Sequence, residues 1–221
     1  MIPSPDINHR LNDRLTLIIT LLAVVMFSVM FVIRQAGAFD FWYWMSTNLV
    51  VILSIVFLLD NENLRLLQFD FKTSPLKKML MGLAFAALLF VVFYLGNIAL
   101  RIVLDSAGEG INQVYGFKQE APDWRIVILM LVIIGPGEEL FWRGFLQRRL
   151  QMNFGVNPGF LVATFLYTAV HLFTGNLVLV LAALTCGLFW GWLYKKHHSM
   201  IINIVSHTVW DILVFIVLPF N

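Results

Sequence analysis

Apolar segments able to cross a bilayer recur along this chain, and they constrain its fold more than any other feature. A crossing helix needs about 17 to 25 predominantly apolar residues. Such segments run from Leu15 to Ile33, Phe41 to Leu59, Met79 to Leu100, Ile126 to Leu146, Phe160 to Phe173, Leu177 to Tyr194 and Met200 to Leu218, the fifth being short for a crossing. Of 221 residues, 60% are hydrophobic and 13% charged, against roughly 25% charged in an average soluble domain. Mean hydropathy is +0.83. The pattern predicts an all-α, polytopic transmembrane helical bundle of about seven spans.

No period of 20 to 50 residues, low-complexity tract or large hydrophilic block interrupts the pattern, so residues 1–221 read as a single membrane domain. Arg10 and Arg14 precede the first segment and Ala36-Gly37-Ala38 follows it, as around a cleaved signal. Its apolar run is about 19 residues, too long for a signal core, and Arg34 intervenes, which favours an uncleaved span. Cys186 lies in an apolar segment and, as the single cysteine, forms no internal disulfide; it reads as core.

Basic residues collect on the cytoplasmic side of membrane proteins. With the N-terminus inside, seven spans place Arg10, Arg14, Arg65, Lys72, Lys77, Lys78, Arg148, Arg149, Lys195 and Lys196 inside, and Arg34, Arg101, Lys118 and Arg125 outside. This bias predicts a cytoplasmic N-terminus and a multi-pass protein of the cell inner or plasma membrane. The formal net charge of +2 is then juxtamembrane anchoring to lipid, and no nucleic-acid partner is expected.

Glu138, Glu139, Arg143, His171, His207 and Asp211 are the Asp, Glu, Lys, Arg and His residues inside predicted spans, all in the last four. A charged side chain at the centre of a span costs about 2.5–3.5 kcal/mol on insertion scales, so such groups face a protein interior or a water cavity. In GPGEELFWRGFLQRRL, Arg143 follows Glu139 by four positions and shares its helix face, whereas Glu138 is turned away. Glu139 and Arg143 form the expected structural ion pair, leaving Glu138 free for chemistry. An interfacial position, with the three satisfying one another, is the competing reading. Gly135 and Pro136 predict a kink just before the acids that admits water.

At about 1.5 Å per residue, Glu138, His207, Asp211 and His171 lie roughly 15, 12, 18 and 20 Å from the cytoplasmic ends of their spans. They share one layer. In SHTVWD, His207 and Asp211 are one helical turn apart, with Asn203 on the same stripe. Tyr167 stands one turn before His171 and reads as aromatic packing; Trp142, Trp190, Trp192 and Trp210 are candidates to line a cavity, with packing or interfacial anchoring as the default reading. Ser206 points away from His207, and no serine or cysteine nucleophile is indicated.

These residues resemble the CAAX protease and bacteriocin-processing membrane proteases, which include the prenyl-protein type II CAAX endopeptidases. The family's EExxxR is matched by Glu138, Glu139 and Arg143. Its FxxxH is matched at His171, with Tyr167 in place of phenylalanine, and its HxxxN/D by His207 and Asp211. The likeness covers about the last hundred residues, with a catalytic core at 124–214. It implies an intramembrane endopeptidase in which Glu138 and His171 activate a water while His207 and Asp211 stabilise the oxyanion. The substrate is then a membrane-associated peptide or protein tail, lipidated in CAAX-type processing and not in bacteriocin-type maturation. The residue types would also suit zinc, but the resemblance implies metal-free catalysis and no cofactor. A non-enzymatic immunity or accessory factor retaining the fold, and an ion or proton transporter using buried carboxylates, are the competing classes.

Overall fold

The computed structural model describes residues 7–60 and 62–220. The side chains of residues 7–12, Asn63 and Glu120 fall outside the described set, and with them the expected cytoplasmic position of Arg10. The described chain is 89% helical and forms no strands. Helix α1 runs Ile7–Ile33, α2 Phe41–Leu59, α3 Glu62–Lys72, α4 Pro75–Val103 and α5 Ala107–Gly116. A long rod, α6, covers residues 123–154 and alternates α-helical Asp123–Leu129, Gly135–Glu139 and Arg148–Phe154 with π-helical Met130–Ile134 and Leu140–Gln147. Helices α7 (Val156–His171), α8 (Leu177–His197) and α9 (Met200–Ile212, continued by π-helical Leu213–Val217) complete the bundle.

Six of these helices are long and apolar enough to cross a membrane. The predicted fourth segment, Ile126 to Leu146, lies inside the rod α6, so the protein is a multi-pass integral membrane protein. Two segments read as connections are helices, α3 and α5, each too short to span. The short fifth segment gains a turn at its start, because α7 begins at Val156. Gly155, at φ +91°, makes the corner from α6, and the two helices close so tightly that a Cβ at Gly159 would come within 2.3 Å of the Gln151 backbone nitrogen.

The bundle turns apolar side chains outward and buries its motif polar groups within a largely apolar interior, as a lipid solvent requires. Leu58, Ile102 and Val103 are about four-fifths exposed, whereas Glu139, Asn203 and Ser206 are fully buried. Helix α9 is the most buried span and packs along α4. Close packing also brings α6 against α9, since a Cβ at Gly135 would lie 2.1 Å from Thr208 Oγ1.

Polar contacts sort the basic residues to two ends. At one, Arg34 donates to Thr174 O, Arg101 to Phe220 O, and Arg125 pairs with Asp40, the residue that caps α2. At the other, Asp60 binds Arg148 and Arg149. There Asp70 takes Lys78 at 2.8 Å and caps the start of α9 through Ser199 Oγ at 2.8 Å and the Ile201 N–H at 3.0 Å. These are the same two groups that the span order predicts.

Candidate active site

The expected kink before the two glutamates takes the form of a π-helical turn. Pro136 lacks an N–H and cannot continue an α-helical ladder; the preceding turn widens, and the Gly135 N–H bonds Met130 O, five residues back. Such widened turns are frequent at functional sites. Met130, Ile134 and Glu138 then form a stripe on one side of α6, and all three line a cavity of about 350 Å³.

Glu138 and its neighbour Glu139 have opposite surroundings. Glu139 Oε1 accepts from Arg143 Nη1 at 3.0 Å and from His207 Nδ1 at 2.7 Å, and its Oε2 accepts from Asn203 Nδ2 at 2.9 Å. Both of its oxygens are hydrogen-bonded. Glu138 is buried, lines the cavity, and its Oε2 has no hydrogen-bond partner. A buried unpartnered carboxylate oxygen costs free energy unless a ligand or water uses it.

The remaining sequence-predicted residues line the same cavity from two further helices: His171 from the end of α7, and His207 and Asp211 from α9. His171 donates Nδ1–H to Tyr167 O at 2.8 Å, since a carbonyl can only accept. This fixes the tautomer and leaves Nε2 with its lone pair. Phe31 and Tyr167 pack against the ring at 4.9 and 5.0 Å. His207 is held more firmly. Its Nδ1 is bound to Glu139, its Nε2 stands 3.5 Å from Asp211 Oδ2, and its ring stacks on Trp190 at 3.6 Å and 19°.

Three assignments change. Glu139 is more than the partner of Arg143, because it also orients His207 across the α6–α9 interface. Asn203, seen in the sequence only as part of a polar stripe, ties Glu139 to the Trp190 carbonyl at 2.9 Å. Trp190 is neither an anchor nor simple packing but the platform under His207; Trp210 also lines the cavity, Trp142 packs beside Tyr167 at 5.3 Å, and Trp192 is partly exposed. Tyr167 packs as expected, with Arg143 over its ring at 4.7 Å, yet it also lines the cavity next to Glu138. Ser206 Oγ accepts from Trp190 Nε1 at 3.2 Å, and Cys186 is buried. Among the described residues no three His, Cys, Asp or Glu side chains are grouped to hold a metal ion.

Residues 120–213 match the family model described as type II CAAX prenyl endopeptidase Rce1-like. Over this region the chain is similar to the type II CAAX prenyl endopeptidases, as its three motifs imply, and the matched stretch includes Glu138, Glu139, Arg143, His171, His207 and Asp211. Helices α1 to α5 lie outside it. Comparison with curated proteins and with solved structures found no match.

Proposed function

We propose that this Rce1-like chain is an intramembrane endopeptidase that hydrolyses peptide bonds of membrane-associated proteins or peptides with a glutamate-activated water, in the inner or plasma membrane of its cell. The observation that carries the reading is the contrast between two adjacent buried carboxylates, one hydrogen-bonded at both oxygens and one with an unpartnered oxygen, on a residue that lines a cavity shared with two histidines.

In this mechanism Glu138 takes a proton from a water that the His171 Nε2 lone pair helps to position. The water oxygen attacks the scissile carbonyl carbon, and the carbonyl π pair moves onto its oxygen. His207 meets that oxyanion. Glu139 holds Nδ1–H, so a second proton on the ring resides on Nε2, and at 3.5 Å from Asp211 that N–H is too long for a good hydrogen bond and remains available. Glu138 then returns the proton to the departing amine nitrogen as the C–N bond breaks. Asp211 acts as a positioning residue through His207. No metal enters the scheme.

The test is incubation of the purified protein in lipid nanodiscs with a mixed peptide set, followed by mass spectrometry of the products. New termini with wild type and none with Glu138→Ala support the reading, as does turnover that survives a strong zinc chelator. Identical products from both proteins, or chelator-sensitive cleavage, count against it.

A further inference from the structure

The cavity is lopsided along the membrane normal. Glu138, Tyr167, Trp190 and His207 form its closed end, and from there its lining continues to one end of the bundle through Asn97 and Leu100 of α4, Tyr115 of α5, Phe117 and Phe220. No described residue of the opposite end lines it, neither Asp60 nor α3, Gly155 or His198.

The two ends differ in charge. The end the cavity reaches carries Arg34, Arg101, Lys118 and Arg125, of which the three arginines are engaged with Thr174, Phe220 and Asp40. The closed end holds the basic residues of α3, of the first turn of α4 and of the C-terminal turns of α6 and α8. Excess Lys and Arg marks the cytoplasmic side.

The lining also limits what can enter. Beyond Glu138, His171, His207 and Asp211 its ionisable side chains are those of Tyr115, Tyr167 and Cys186; the rest is apolar or neutral.

Granting the endopeptidase reading above, we propose that the catalytic cluster is reached from the extracytoplasmic side, and that its substrates are apolar peptide segments exposed on that side rather than cytoplasmic protein tails. The scissile bond descends from the α5 rim to Glu138, and the basic face stays sealed.

Single-cysteine variants test this on a Cys186→Ala background: Lys77→Cys at the basic end, Asn112→Cys on the exposed side of α5, Gln119→Cys as a second reporter there, and Asn97→Cys in the cavity wall. A membrane-impermeant sulfonated maleimide should label the α5 reporters and Asn97→Cys on intact cells while sparing Lys77→Cys, and the pattern should reverse in inverted vesicles. Labelling of Lys77→Cys on intact cells, or of Asn97→Cys only in inverted vesicles, overturns the proposal. Labelling needs no turnover, so a protein that cuts nothing would defeat the proteolytic reading and still report its sidedness. In a second arm, impermeant quenched peptides with apolar centres and charged ends should be cut by intact spheroplasts and spared by sealed inverted vesicles. Cleavage confined to the inverted vesicles overturns the proposal even if the labelling pattern holds.

Discussion

Replacing Glu139 by glutamine changes one oxygen for one nitrogen and should nevertheless be among the most damaging substitutions in the protein. One carboxylate oxygen receives Arg143 at 3.0 Å and His207 at 2.7 Å, and the other receives Asn203 at 2.9 Å. An amide has one acceptor end and one donor end. Whichever way it is turned, its NH2 faces a donor: Asn203 in one orientation, Arg143 and His207 in the other. Arg143, only 2% exposed, is left as a buried charge without a counter-ion, which costs about 3–5 kcal/mol. For a chain of this size each kcal/mol lowers Tm by roughly 2–4 °C, so the shift should be about 6–20 °C. Differential scanning fluorimetry in a mild detergent reads it. Adding Arg143→Met should recover part of the loss, because both charges are then gone. A Tm within about 2 °C of wild type, less than roughly 1 kcal/mol, would refute the claim that Glu139 is the electrostatic node of the α6–α9 interface.

Glu138→Ala and His171→Ala should be non-additive in single-turnover cleavage, the double variant being about as slow as either alone, since both position one water; multiplicative losses would argue for separate roles. Asp211→Asn should retain most turnover and flatten any alkaline decline, because the amide keeps a polar group beside His207 and removes the charge. Asp211→Ala should cost about 10–100-fold, because His207 loses the polar group that positions it; equal loss in both variants across pH 5 to 9 would show that the negative charge itself is required. At the basic end, burial acts to raise the Asp60 pKa, but the Glu62 N–H, Arg148 and Arg149 outweigh it and hold the carboxyl below its usual range. A depressed carboxylate adds stability that is fully present above its unfolded pKa, near 3.9, and is lost as pH falls through the folded value. Wild type should therefore lose Tm below about pH 4, and Asp60→Asn should already be destabilised at pH 7 with a shallower acid slope; parallel Tm curves would contradict this.

Much of the bundle was legible because lipid imposes a length on every crossing. The apolar segments from Phe41 to Leu59 and Leu177 to Tyr194 coincide with α2 and with nearly all of α8. The Glu139–Arg143 pair was legible because four residues make one helical turn. What lay beyond the sequence arises between helices. Nothing in the spacing of EELFWR says that Glu139 reaches Asn203 and His207, more than sixty residues away, or that Trp190 lies flat under the His207 ring. The rod α6 outruns its apolar segment because Arg148 and Arg149 are held by Asp60 from α2, a partner no local pattern could supply. Helices α3 and α5 escaped because runs of 11 and 10 residues carry no spanning signal.

The central claim is a division of labour between neighbouring carboxylates, and Glu138→Gln tests it most directly when Tm and single-turnover peptide cleavage are measured on the same preparation. The account predicts a Tm close to wild type, because Glu138 Oε2 has no partner to lose. It predicts cleavage lower by about 10²–10⁴-fold, because the amide cannot take the water's proton. Wild-type cleavage by a normally folded Glu138→Gln protein would contradict it.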